Sequence, residues 1–397
     1  MNAQRDPVSD WATDFDHLDP AWGTDQHAIF DDLRERCPVA HTDRFHGAYL
    51  VTRYDDVAAV AYDTEHFSSR TVIVNESPAD EMAGIAPPIT SDPPDHSAAR
   101  RMLLPAFAPR KIDGWESITR QICRDVLDGL DSSGTIDAAT QYAQHIPVLV
   151  IAQMLGLPDD DGDRFRVWLH ELLEVGPAEP EVGARAFGEI YGYLRGHIEQ
   201  RRAEPADDLL GFLLGLEQDG EPLTTPHIIG TATLLLLAGI DTTWSSIGSS
   251  IWHLARNPSD RERLVSDPAL MPSAVEELLR AYAPVIMARY VASDTELSGV
   301  PLCAGQRVLL PFPAANRDPS RFTDADQVII DRVENRHVTF GLGIHRCLGS
   351  NLARMELRVA LEEWLVRFPN FELADPDAVT WSVGQIRGPR RLPIRIG

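Results

Sequence analysis

The residues Phe340-Gly341-Leu342-Gly343-Ile344-His345-Arg346-Cys347-Leu348-Gly349 put one cysteine between a glycine-built turn and the start of an amphipathic helix. Leu352, Met355, Leu357, Val359, Leu361, Leu365 and Val366 recur at helical spacing over 348–368, so free backbone N–H groups and a positive dipole end point at Cys347. Both are expected to lower the thiol pKa and favour a thiolate. Gly341 and Gly343 permit backbone angles closed to other residues, and Gly349 lets the helix approach a flat object that a side chain would hold away. A soft anionic sulfur facing something flat suits haem iron. A buried structural thiol could occupy the same local sequence, so the cysteine does not decide alone.

Three other strings carry chemistry. Ala238-Gly239-Ile240-Asp241-Thr242-Thr243 lies inside a helical pattern that starts at Thr224-Thr225-Pro226 and runs to about Arg256. A buried acid is costly unless paired, and a buried threonine can bond the carbonyl four residues back. That pair fits either a proton-delivery groove or an acid neutralised by an arginine. Glu277 and Arg280, at i and i+3, can pair on one helix face and precede Asn316-Arg317-Asp318-Pro319 and Phe322. Asp92-Pro93-Pro94-Asp95-His96-Ser97-Ala98-Ala99-Arg100 sets His96 and Arg100 four apart at a helix start.

Together these strings resemble the cytochrome P450 family of haem-thiolate monooxygenases, and the cysteine segment matches F-G-x-G-x-H-x-C-x-G at every fixed position. The resemblance implies a mainly α fold with small β-sheets and a long central helix crossing a haem b (iron protoporphyrin IX). It makes Cys347 the axial iron ligand, with Phe340, Gly341, Gly349 and Ala238 against the macrocycle. His96, Arg100, Arg289 and His345 would hold the propionates, whose charge needs cations or donors. Asp241 would feed protons, and Thr242 would steady the oxygen being cleaved, with O2 as co-substrate. Glu277 and Arg280 would form a buried network with Arg332, although Ala325 and Val328 stand where proline and phenylalanine are common. By position, the 72–89 loop with Val72 and Ile85, then Leu235, Ala238, Val285, Ile286, Met287 and Ile386 beside Gln385, would line an apolar pocket for a small to medium hydrophobic substrate.

The chain has 397 residues and a net charge of −24, which argues against nucleic acid and acidic membrane surfaces as partners. No apolar run approaches eighteen residues and the N-terminus is acidic, so a cytoplasmic monomer without a membrane anchor is expected. Cys37, Cys123, Cys303 and Cys347 have neither zinc nor disulfide spacing. Residues 1–24 read as loosely held and 25–397 as a single domain, mostly helical from about Ala98 to Pro369, with β-prone pieces near Tyr49–Tyr54, Ala288–Val291, Arg307–Leu310 and Leu392–Ile396.

No flavin, nicotinamide or iron–sulfur fingerprint occurs, so electrons would come from elsewhere; the resemblance implies a separate ferredoxin and its reductase, with NAD(P)H only indirectly involved. Arg100, Arg101, Arg110, Lys111, Arg120, Arg124, Arg346, Arg354 and Arg358 form the expected cysteine-side docking face. A peroxide-driven haem-thiolate enzyme would not need Asp241-Thr242, and a catalytically silent binding module would be expected to lose them or the cysteine.

Overall fold

Thr224 starts the longest helix, Thr225–Arg256, by accepting a hydrogen bond from the His227 N–H, while Pro226 occupies a first-turn position where no N–H is needed. Its 32 residues span about 48 Å. The helices His145–Leu155, Pro180–Ala203 and Ser350–Arg367 pack around it and share one large apolar core. This is the only helix among the described residues long and apolar enough to cross a membrane, and most of its apolar stretch is buried inside the protein. The computed structural model describes residues 6–74, 84–131 and 134–397.

A five-stranded sheet stands to one side, in the order Val39–Thr42, Ala48–Val51, Arg307–Pro311, Ile286–Val291, Phe67–Ser68. All its pairings are antiparallel except that between Ala48–Val51 and Arg307–Pro311. One face covers Phe15, Trp22, Phe30 and Leu33, which are fully enclosed. Instead of a loosely held start, residues 6–24 are tied down: Arg44 bridges Asp14 at 2.7 Å and Asp16 at 2.9 Å, and the Asp19 carboxylate caps the helix Pro20–Arg36. The polar composition of this segment hid its two anchoring aromatics, Phe15 and Trp22.

The cysteine segment is carried between two helices. Met271–Ala281 presents Glu277 and Arg280, both entirely buried, and Arg280 grips Glu277 through two hydrogen bonds of 2.8 Å. Arg332 adds a third at 3.0 Å, with the Asn335 amide and the Ile329 N–H completing the carboxylate's shell. Arg280 also donates to the carbonyls of Asn316, Ala325 and Gln327 and lies over the Phe322 ring. Neighbouring Glu276 takes Arg354 of Ser350–Arg367 and His337. The irregular chain 316–340 is thereby pinned to one helix and led to the cysteine.

Removing one member of such a network leaves buried charge uncompensated, which typically costs about 3–5 kcal/mol. Glu277→Ala is therefore expected to give little soluble folded protein. A circular-dichroism melt with the parental midpoint would contradict this.

Candidate active site

The loop before the cysteine is shaped by glycines at positive φ, Gly341 at 71° and Gly343 at 66°. A Cβ on Gly343 would meet the Ala61 carbonyl, so this glycine also permits the loop to lie on the helix Tyr54–Tyr62. The Cys347 N–H donates to the Phe340 carbonyl at 2.7 Å, and the helix begins at Ser350 behind Gly349. The electrostatics depart from the sequence expectation. Burial of the sulfur pushes the thiol above its ordinary pKa, and the Gly349 N–H, Arg100, Arg346 and Arg354 only partly offset this. A local helix end is legible in sequence, but enclosure is not, and enclosure wins. A coordinated cation would hold such a sulfur deprotonated.

Four nitrogen-bearing side chains gather beside the cysteine. The His96 and His345 rings lie 4.2 Å apart, and Arg100 reaches the Arg346 carbonyl at 2.5 Å. Arg289 is 5% exposed, and its charge, with those of His96 and Arg100, adds to the burial that holds His345 far below the usual imidazole range. Both His96 nitrogens and His345 Nε2 are enclosed without a hydrogen-bond partner among the described residues. Asp92, the nearby carboxylate, is occupied by the Ser69 N–H and Ser68 hydroxyl. Unspent buried donors and unneutralised guanidinium groups next to a soft sulfur fit a metal macrocycle bearing carboxylates.

On the central helix, Ala238 is exposed and Thr242 half-buried, one turn apart on one face of an otherwise enclosed element. The Thr242 hydroxyl donates to the Ala238 carbonyl at 2.8 Å. Asp241 is buried, and burial raises its carboxyl pKa against the opposing pull of Arg390. Arg390 Nη2 donates to it at 2.8 Å, and the guanidinium lies over the Trp244 ring and also pairs with Glu174 at 2.5 Å. The hairpin carrying Arg390 is pressed onto the helix: a Cβ on Gly388 would overlap Ser245, and one on Gly248 would overlap Pro389. An arginine partner was one of two readings open for Asp241, and sequence could not name one 149 residues away. It also missed Glu356, fully enclosed and hydrogen-bonded by Thr243, whose carboxyl is pushed up to about 8 by burial.

The apolar candidates separate by strand face. Gln385 organises part of the set, donating to the Val72 carbonyl at 2.7 Å and the Ile286 carbonyl at 3.2 Å, while Ile386 bridges Val285. Val285, Met287 and Arg289 alternate onto one face, whereas Ile286 turns with Ala288 into the cluster of Phe15 and Trp22. Ile286 is therefore a core residue and not a pocket wall. Leu235 is buried, and Ile85 is partly exposed, its carbonyl lying against Gly230 of the central helix. The 75–83 part of the loop, with Met82, is outside the described residues.

The family model described as Cytochrome P450 matches residues 181–379. Mycinamicin IV hydroxylase/epoxidase of Micromonospora griseorubida is 36% identical over 92% of this chain and 94% of its own. The chain belongs to the cytochrome P450 family. Vitamin D(3) 25-hydroxylase of Pseudonocardia autotrophica is also 36% identical, over 94% of this chain and 98% of its own. The structure of the polyketide biosynthesis P450 PksS of Bacillus subtilis superposes with a TM-score of 0.88 at 31% identity, covering 96% of this chain and all of that one. This P450 is accordingly a monooxygenase-type oxidoreductase of a haem-using family.

Its expected docking face is partly neutralised. Arg120, Arg124 and Arg358 pair with Glu116, Glu362 and Glu363, and Arg354 with Glu276. Arg101, Arg110, Lys111 and Arg346 are exposed and have no carboxylate partner among the described residues.

The Glu356 environment gives a pH test. Because its folded pKa lies above the ordinary 4.5, the stability available at low pH is lost as pH rises through about 8. Glu356→Gln carries no such cost and should be more stable than the parent by about 2–4 kcal/mol at alkaline pH, the advantage fading toward acid. Urea unfolding at a series of pH values reads this out; parallel profiles would mean that Glu356 stays ionised.

Proposed function

We propose that this P450 inserts one oxygen atom from O2 into a hydrophobic substrate, with Cys347 as axial ligand of a haem b and electrons delivered by a separate ferredoxin and its reductase. The carrying observation is the convergence of the half-buried Cys347 sulfur with His96, Arg100, Arg289 and His345, whose unspent donors suit two propionates. The bound haem would supply the oxygen-activating and substrate-oxidising chemistry, which a thiolate ligand favours.

The protein's own contributions are positioning, water exclusion and proton supply. Thr242, held on the Ala238 carbonyl, has a hydroxyl that can turn to a ligand on the exposed face of the helix. Asp241, one residue away and kept on Arg390, is the acid from which that hydroxyl can be resupplied. Val285, Met287, Leu235 and Ile386 offer apolar walls with Gln385 as the local polar group, and the relatives named for mycinamicin and vitamin D3 support a hydrophobic substrate. Arg101, Arg110, Lys111 and Arg346 supply unneutralised positive charge for an acidic ferredoxin on the cysteine side. Four free cysteines are consistent with a cytoplasmic setting.

The reduced, carbon monoxide-treated protein should give a thiolate-type Soret band, and Cys347→Ala should abolish it; an imidazole-type band in the parent would overturn the axial assignment. Thr242→Ala should retain haem but divert about tenfold more reducing equivalents to hydrogen peroxide. Unchanged coupling of electron consumption to product would remove Thr242 from proton delivery.

A further inference from the structure

A chain of polar groups runs from the surface to Asp241. His170 closes the helix Gly162–His170 and is well exposed, with its Nδ1 3.1 Å from one Glu174 oxygen. The other Glu174 oxygen accepts from Arg390 Nε at 2.5 Å. That guanidinium also donates to Asp241 at 2.8 Å and to the Ser245 hydroxyl at 3.2 Å, and the hydroxyl lies 3.4 Å from Asp241. Arginine keeps its proton, so the guanidinium holds the two acids without passing a proton between them.

A second connection bypasses it. A cavity of about 20 Å³ is lined by both Glu174 and Asp241, with Leu173, Val383, Gln385 and Ile386. One water needs about 10–15 Å³ of such volume and two or more polar partners. The two lining carboxylates can provide these. Charge favours the same reading. Two carboxylates share one guanidinium, and the like charges favour keeping one proton in the assembly. Glu171, on the same turn as Glu174, is paired with Arg185, which among the described residues leaves His170, Arg390 and Asp241 as the charged or titratable groups facing Glu174.

We infer that Glu174, fed at the surface by His170, is the carboxylate through which solvent protons reach Asp241, by way of one water in the cavity they share. The inference rests on Asp241 being the proton source for oxygen cleavage. Glu174 takes a proton from the His170 imidazolium and gives it to the water. The water releases another of its protons to Asp241, which becomes a neutral acid, while Glu174 returns to its anion. One proton moves inward, one water is regenerated and no electrons are transferred.

Glu174→Gln retains the shape and an acceptor for Arg390 but cannot carry the proton. In the holoenzyme it should slow product formation about tenfold or more and enlarge the solvent deuterium isotope effect, with Glu174→Asp restoring most of the rate. His170→Ala should lower the rate less, because solvent can then protonate Glu174 directly. An independent readout needs no turnover: the infrared carboxylic-acid band of resting protein that is lost in Asp241→Asn should titrate at lower pH in Glu174→Gln, one negative neighbour having gone. A parental titration and a parental isotope effect in Glu174→Gln would overturn the inference. If Asp241→Asn uncouples electron use from product while Glu174→Gln does not, the relay through Glu174 fails and the haem-thiolate reading stands. If the carbon monoxide band is absent while the infrared titration shifts, that reading fails and the coupling of the two carboxylates stands.

Discussion

The Glu277 carboxylate is the contact on which the rest of the site depends. It lies in the core with no water to share its charge, so its oxygens must be filled by protein donors, and they are: two arginines, an asparagine and a backbone N–H. Those donors come from a helix and from a stretch of about twenty residues with almost no regular structure. An irregular segment gains little from repetitive backbone bonding, and here a single ion-pair centre specifies its path. The cysteine loop follows directly from that path, and Glu276 fixes the helix on its far side.

Charge is then sorted between the two halves of the site. Cationic and imidazole groups without acidic partners collect at the cysteine, while buried carboxylates, Asp241 and Glu356, collect along the central helix. Each cluster is unfavourable alone, because like charges or unpaired donors are held out of water. An anionic group beside a metal would relieve the first, and a retained proton would relieve the second. Under the proposed function, burial would thus prepare one side to accept a cofactor and the other to hold the protons its chemistry consumes.

How much of this was legible follows from chain distance. The cysteine loop, the acid–alcohol pair and the Glu277–Arg280 pair are each written within a few consecutive residues, so their types and spacing carried the reading. The long helix was legible too, since its cap, first-turn proline and apolar pattern are local. Arg390, Glu174 and Glu356 were not, because Arg390 meets Glu174 across 216 residues and Asp241 across 149, and Glu356 meets Thr243 across 113. Position alone groups Val285, Ile286 and Met287 together, whereas a strand alternates its faces and sends Ile286 into the core. A helix end beside the thiol is local, but the desolvation that raises its pKa is imposed only by the folded chain.

The contact of Gly388 with Ser245 and of Pro389 with Gly248 has a consequence for divergence within the family. The tip of that hairpin, Gln385 and Ile386, meets Val72, Val285 and Ile286 beside the proposed pocket, while its base carries the arginine that holds Asp241. The tip is free to exchange side chains as substrates change, but the base is a rigid seam in which even one methyl group has no room. Evolution can retool what this enzyme recognises only through variations that leave the seam seated, so new substrate preferences should arise at the end of the hairpin and not along its stem.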